Sequence, residues 1–389
     1  MDLAATPDAV ARARAIAATV AASADALEQT QRFPPALLDA LHGARLFRLL
    51  LPRSAGGDEV APWTYFDAVV EIARHDASVA WCVFVANSSA IIAAFLTPPA
   101  AEEIFADPRT TIAWGPPNAC TAVAAPGGYR VSGRWDFASG CRHAGWMGAH
   151  CNVVQPDGAL RLNKAGRPTI RTLLFPIGQA RLIHTWDVIG LRGTASDSYE
   201  VNDLFVPEAF STTREDPALR REPGRLYAFT MQGLYAVGVA GVAVGTARAM
   251  LDAFAALARD KTPRGLGRLA ENAVVQSRVA RMEAKLGAAR AFMTHTLREA
   301  WDGACGDEPI DVPARAAVRL ACAQAILMAN EVADETYKAA GVSAIYDGNP
   351  FVRRFRDIHT LLQQIQSREA HFEAVGQILL GIAPQSEFL

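Results

Sequence analysis

Histidine is the side chain best suited to move protons or ligate metal near neutral pH, and this chain of 389 residues carries 8. His42, His75, His143, His150, His184, His295, His359 and His371 are scattered, with no His-Glu-x-x-His pair and no Cys/His cluster at zinc spacing. Each alone reads as an ordinary surface or core histidine. The 6 cysteines (Cys82, Cys120, Cys141, Cys151, Cys305 and Cys322) form no Cys-x-x-Cys pair and are too sparse for a disulfide scaffold. They read as free thiols in a reducing cytoplasm. Lys164, Lys261, Lys285 and Lys338 are the lysines, which leaves little scope for Schiff-base or phosphate-binding chemistry. A Gly-x-Gly-x-x-Gly after a strand, a P-loop and a Gly-x-Ser-x-Gly elbow are all missing from the sequence.

The whole-chain balance narrows the classes further. With 38 Lys+Arg against 40 Asp+Glu the net charge is -2, so no nucleic-acid partner is expected. Hydrophobic residues at 51% and charged residues at 20% describe a globular protein, long enough for two or three domains around one buried centre. Met1-Asp2-Leu3-Ala4 lacks the basic and apolar runs of a secretory leader, so the Asn87-Ser88-Ser89 sequon carries no meaning. Two stretches, 77–101 and 226–247, have no charge. They are expected to be buried helices rather than membrane spans, because Asn, Ser, Gly and Ala dilute them below the roughly 18 strongly apolar residues a span needs.

The elements that would position any chemistry fall into three blocks. Helical periodicity runs through 11–27, 34–44, 62–75 and 78–95, with Pro34 at a helix start and a Gly/Pro loop at 51–57. Near Thr110 the texture changes to alternation, in 111–114, 128–135, 146–154, 171–176 and 198–206. Gly127-Gly128 and Asp157-Gly158 supply turn signals, which predicts a compact, mostly antiparallel β domain ending near Pro207. Long helices then fit 227–258, 268–301, 313–340 and 351–380, as an antiparallel four-helix bundle. Gly241 and Gly245 on the first of them read as a close-packing face. Composition, periodicity and spacing thus give an α+β protein with a β domain between helical domains, and assign no chemistry.

Several local motifs, in order, go further. Ser78-Val79-Ala80-Trp81 resembles the Ser-x-Ala-Trp helix of the flavin-dependent monooxygenase branch of the acyl-CoA dehydrogenase superfamily. The run Gly128-Tyr129-Arg130-Val131-Ser132-Gly133-Arg134-Trp135-Asp136-Phe137-Ala138-Ser139-Gly140-Cys141 is the most specific match. Trp186-Asp187-Val188-Ile189-Gly190-Leu191-Arg192-Gly193-Thr194-Ala195-Ser196, then Val206-Pro207-Glu208, then Asn349-Pro350 and Arg353-Arg354-Phe355-Arg356-Asp357-Ile358-His359-Thr360, follow at the superfamily's separations. The resemblance covers nearly the whole chain. It implies an N-terminal helical domain (1–109), a central antiparallel β domain (110–215) and a C-terminal four-helix bundle (216–389), with flavin in the cleft between β domain and bundle.

By this resemblance Phe137, Ala138 and Ser139 run along the flavin edge, and the Ser139 hydroxyl approaches N5; the bland alternative is a turn residue before Gly140. Trp114 reaches flavin or substrate, or is a core aromatic. Gly193 permits close backbone approach, and Thr194 bonds flavin or fixes its own loop. Trp81, Asn87, Ser88 and Leu361 line the substrate side, with the apolar helix keeping the pocket dry.

The superfamily's dehydrogenases take the α proton of a thioester with a carboxylate. The matching position here is about Ile365, beside Leu362, Gln363, Gln364 and Gln366, with Glu369 one turn further on. None of the residues at that position is a base, which favours the oxygenase branch. Members of that branch accept reduced FMN or FAD from a separate flavin reductase, form a C4a-hydroperoxyflavin with O2, and oxygenate a small organic substrate. Where phenol-oxidising members carry a histidine in the last helix, this chain has Gln364; His359 or His371 is the fallback. Gln donates hydrogen bonds but is no base, so the expected substrate needs no deprotonation. The alternatives are a dehydrogenase or oxidase with a relocated base, and a non-catalytic flavin or acyl-thioester binding homologue. The resemblance also implies a homotetramer, with Gln276, Arg278 and Arg281 on the helix that packs across subunits; a solvated helix face is the equal alternative for them.

Overall fold

The computed structural model describes residues 8–116, 120–163, 166–213, 216–265, 267–304 and 308–382. Met1–Ala4, Lys164 and Cys305, named above, lie outside them. The first block holds α1 (Ala9–Ala15), α2 (Ala17–Thr30), α3 (Pro35–Gly43), α4 (Pro62–Ala73), α5 (Ala77–Ala90) and α6 (Pro98–Phe105). Asp76 starts α5 by accepting the Val79 N–H at 2.9 Å, and every residue of α5 is buried. The Pro98-Pro99 pair ends the expected 78–95 helix but also opens α6, which the periodicity missed; proline at the first helical position costs no hydrogen bond.

The central block contains β1 (Ile112–Gly115), β2 (Thr121–Ala125), β3 (Gly128–Ala138), β4 (Trp146–Val154), β5 (Ile170–Pro176), β6 (Arg181–Ile183), β7 (Asp197–Pro207) and β8 (Ser211–Thr212). The sheet order is β6-β7-β3-β2-β4-β5-β8, with β1 also on β4. The sheet is mostly antiparallel, as expected, and is mixed at β4, to which β1 and β2 both run parallel. After the β2–β3 hairpin the 139–145 connection carries the chain across, so β4 lies beside β2 instead of beside β3. Trp135 and Tyr199, both fully buried, stack at 5.1 Å in the core of this sheet.

The last block has α7 (Met231–Asp260), α8 (Ala273–Gly303), α9 (Val312–Ala340), α10 (Pro350–Leu361) and α11 (Ala370–Leu379). The helix expected over 351–380 is broken. Gln364 takes an extended backbone and its side chain accepts the Gln366 N–H at 2.6 Å, capping a short 3-10 turn at Ile365–Ser367. α7 packs on α4 and α9. At Gly245 an added Cβ would meet the Val70 carbonyl oxygen at 2.4 Å, so the glycine spacing serves helix contact. Among the described residues three helical segments are long and apolar enough to cross a membrane; their most apolar 18-residue windows are 94% buried in Ala77–Phe95, 89% in Met231–Asp260 and 50% in Val312–Ile345.

Candidate active site

Site chemistry begins where β3 leaves the sheet. The β3–β7 register slips between Trp135 and Ala138, and Phe137 there takes φ 62°. Facing it, the 3-10 turn Arg192–Thr194 is flanked by Leu191 at φ 51° and Ala195 at φ 42°. Left-handed backbone at three non-glycine residues is strain held by the surroundings. Gly193 allows the approach: a Cβ there would meet Ser78 Cβ at 2.9 Å on α5. At Gly190 one would meet the Arg356 carbonyl oxygen at 2.2 Å.

This corner aligns a chain of hydroxyls. Trp81 Nε1 donates to Ser139 Oγ at 3.0 Å, and Ser139 Oγ lies 2.7 Å from Ser196 Oγ. Ser196 Oγ lies 2.7 Å from Thr194 Oγ1, which donates to the Leu191 carbonyl at 2.8 Å. Next to Ser196, Asp197 is fully enclosed and accepts from Arg142 Nε at 2.7 Å and from the Thr185 and Trp186 N–H groups. Burial alone would raise its pKa, but the bonds from Arg142 and His184 outweigh it and hold the carboxyl below its ordinary range. Asp357, on α10, accepts the Leu191 N–H at 2.6 Å. Burial pushes this carboxyl up to about 7, with help from the neighbouring Asp76, itself raised to about 6 by burial.

The helix side is aromatic. Rings meet edge-on in the series Trp81–Phe84 (4.8 Å), Phe84–Tyr235 (5.0 Å), Tyr235–Trp114 (5.6 Å) and Trp114–His150 (4.8 Å). His150 Nδ1 lies 2.8 Å from Thr172 Oγ1. Burial raises the Tyr235 phenol, partly offset by a hydrogen bond from Gln364, so Tyr235 stays neutral. Trp114 Nε1 is enclosed with no hydrogen-bond partner among the described residues.

Trp81, Ser139 and Thr194 are thus brought into one network, and Trp114 meets Gln364 through Tyr235. Phe137 and Ala138 lie on the same corner, with the Phe137 ring 61% exposed and Ala138 enclosed. Asn87 and Ser88 are not joined to it. The Asn87 amide is spent on main chain, accepting from Leu50 N and donating to Leu46 O and Val83 O, and Ser88 donates to Val85 O. Leu361 is core. His359 pairs with Asp334, His371 Nε2 donates to Ile365 O, and Glu369 is exposed at the start of α11. Ser196, Tyr235 and His150 were missed as site residues. Ser196 closes a quoted motif, whereas nothing local distinguishes Tyr235 or His150.

Two observations fit a planar aromatic cofactor here: the exposed Phe137 ring beside the buried Ser139, and the unpartnered Trp114 donor. The comparisons agree. Residues 8–104 match the acyl-CoA dehydrogenase N-terminal domain and 237–368 the C-terminal domain. Indole-3-acetate monooxygenase of Pseudomonas putida is 30% identical over 91% of this chain and 88% of its own length. The oxygenase component of an FADH2-dependent resorcinol hydroxylase of Rhizobium sp. is 28% identical over 97% and 95%. XiaF of Streptomyces sp., solved with FADH2 and glycerol, shares the fold at TM-score 0.89 and 24% identity, covering 98% of this chain and 97% of its own. The chain belongs to the acyl-CoA dehydrogenase superfamily, in its flavin-dependent monooxygenase branch. It is an oxygenase component that works with reduced flavin and O2 on a small organic substrate.

Proposed function

We propose that the substrate is a neutral, electron-rich aromatic, of the indole kind named for the Pseudomonas putida relative. The observation that carries this is the aromatic series itself, in which the buried, neutral Tyr235 stands edge-on between Phe84 and Trp114 with the non-basic Gln364 beside it. Both offer hydrogen bonds and neither takes a proton at working pH, so a ring that needs no deprotonation is served. Reduced flavin, when bound, supplies the electrons with which one oxygen atom of O2 is inserted and the other leaves as water. Ser139, with Phe137 and Ala138 beside it, would hold the flavin edge, its hydroxyl meeting N5, and Trp114 Nε1 would donate to an acceptor on flavin or substrate. The enclosed aromatic wall excludes water, which protects the activated oxygen.

A separate flavin reductase supplies the reduced flavin. On the division 1–109, 110–215 and 216–389, the site would draw on all three parts: Trp81 and Phe84 from the first, Ser139 and Thr194 from the second, Tyr235 and Gln364 from the third. A homotetramer suits the half-exposed Val312–Ile345 segment and the apolar residues left on the helical surface, Val274, Leu327, Val342 and Ile345. The described cysteines are free and buried, which suits the cytoplasm.

The test is anaerobic binding of FMNH2 or FADH2, then stopped-flow mixing with aerated buffer. A transient near-ultraviolet absorbance preceding oxidised flavin, shortened by indoles more than by phenols, is expected. Equal shortening by phenols removes the substrate proposal.

A further inference from the structure

We infer that Ser196 and Thr194 select the oxidation state of the flavin this protein binds, by fixing the direction in which Ser139 can hydrogen-bond. The inference rests on the placement of Ser139 against flavin N5 proposed above.

Each of the three hydroxyls has one proton. The Leu191 carbonyl can only accept, so Thr194 Oγ1, 2.8 Å away, donates to it. Ser196, 2.7 Å from Thr194 Oγ1, then has to donate to Thr194. Ser139, 2.7 Å from Ser196, has to donate inward to Ser196. Trp81 Nε1 is a donor only and fills one of the two acceptor positions of Ser139. What Ser139 has left is one lone pair.

Reversing the order sets lone pair against lone pair. If Ser196 donated to Ser139 and Thr194 to Ser196, Thr194 Oγ1 would face the Leu191 oxygen at 2.8 Å with no proton between them. Ser139, Ser196 and Thr194 are 7%, 4% and 1% exposed, so water cannot repair that loss, and an unsatisfied buried polar atom is costly. The same three atoms therefore present an acceptor outward.

Reduced flavin carries N–H at N5, whereas oxidised flavin carries a bare lone pair there. An outward acceptor at Ser139 bonds the first and opposes the second. Ser196 and Thr194 are thus positioning residues. They act through Ser139 so that the reductase's product is captured and the reoxidised flavin is let go.

The experiment measures dissociation constants of reduced FMN and FAD under anaerobic conditions, those of the oxidised forms, and the midpoint potential of the bound flavin. In Ser196→Ala the Ser139 proton is free to turn outward. Oxidised flavin is expected to bind roughly tenfold tighter, the worth of one neutral hydrogen bond, with reduced flavin little changed. The bound potential then falls by about 30 mV, the two-electron equivalent of tenfold. Thr194→Val frees Ser196 to turn and moves the ratio the same way, which keeps the test alive if Ser196→Ala folds poorly. Thr194→Ser retains the hydroxyl and the wild-type ratio. An unchanged ratio in Ser196→Ala and Thr194→Val overturns the inference, as does a ratio lost equally in Thr194→Ser. Ser139→Ala separates the two layers. If it changes neither affinity, the placement of Ser139 fails and the inference with it. If it weakens reduced flavin while Ser196→Ala changes nothing, the placement stands and the selection by Ser196 is wrong.

Discussion

The two walls of the site are built in opposite ways. The sheet wall carries Ser139, Ser196 and Thr194 on bent backbone, with Phe137, Leu191 and Ala195 left-handed. Such residues cost about 1–3 kcal/mol each, and hydrogen bonds to distant elements hold the corner: Arg142 Nε donates to Asp197, and Leu191 N–H donates to Asp357. The helix wall places Trp81, Phe84 and Tyr235 on regular helices, joined by ring contacts and by the Gln364–Tyr235 bond. Strain with many fixed partners suits the part of the reaction that is the same for every substrate. Unstrained ring packing tolerates exchange, and suits the part that decides which substrate enters.

The largest effect that would test this contrast is on folding. Asp197→Ala leaves the Arg142 guanidinium, whose side chain is 11% exposed, without its carboxylate, and unlatches Thr185 and Trp186. A loss of about 3–5 kcal/mol is expected for a broken buried pair. Phe84→Leu on the other wall keeps an apolar side chain and is expected to cost about 1.5 kcal/mol or less. Denaturant melts of both variants check this, and equal losses would erase the difference between the walls.

A smaller effect separates the two walls by pH. Asp357 is raised to about 7 and Asp76 to about 6, against about 3.9 for an unfolded aspartate. Between pH 4 and 7 the folded state therefore holds more protons than the unfolded one, and stability falls as pH rises through that window. Arg353, Arg354 and Glu28 face the pair and set its depth. Asp357→Asn keeps an oxygen for Leu191 N and removes the ionisation. It is expected to flatten most of the slope and to gain on the order of 2 kcal/mol at pH 8, since a tenfold change in a protonation equilibrium is worth about 1.4 kcal/mol. Urea melts at pH 5 and pH 8 are the measurement. A variant as pH-sensitive as the wild type would show that the latch is not where the burial is uncompensated.

Legibility in the sequence follows the same division. Helix α5 and the first half of α7 show as uncharged runs because burial there demands them. The Trp81–Ser139 pairing was reachable only through a motif resemblance, since the two residues lie on different elements. Ser196 lay in plain view at the end of a motif, but its role depends on two neighbours 2.7 Å away that one-dimensional spacing does not reveal. The break after α10 was hidden because Gln364 is a good helix former whose side chain caps the next turn instead. The parallel pairing of β4 was hidden because alternation reports which face is buried, not which strand lies alongside.

The smallest expected effect lies on the helix wall. Tyr235→Phe keeps the ring against Phe84 and Trp114 and removes only the hydroxyl bonded by Gln364. Gln364 stays anchored because its Oε1 still accepts the Gln366 N–H at 2.6 Å. Stability is expected to change by about 1 kcal/mol or less, the net worth of one neutral hydrogen bond. The lost hydroxyl no longer orients a polar edge of the substrate, so KM rises roughly three- to tenfold while kcat stays within about twofold, as for uniform binding. With flavin held on the opposite wall, as proposed, its affinity is expected not to move. Steady-state kinetics with an indole and titration with reduced flavin read the two quantities separately. If Tyr235→Phe weakened reduced flavin as much as Ser139→Ala does, cofactor and substrate would share one set of contacts, and the division between a strained wall and a plastic one would not describe this site.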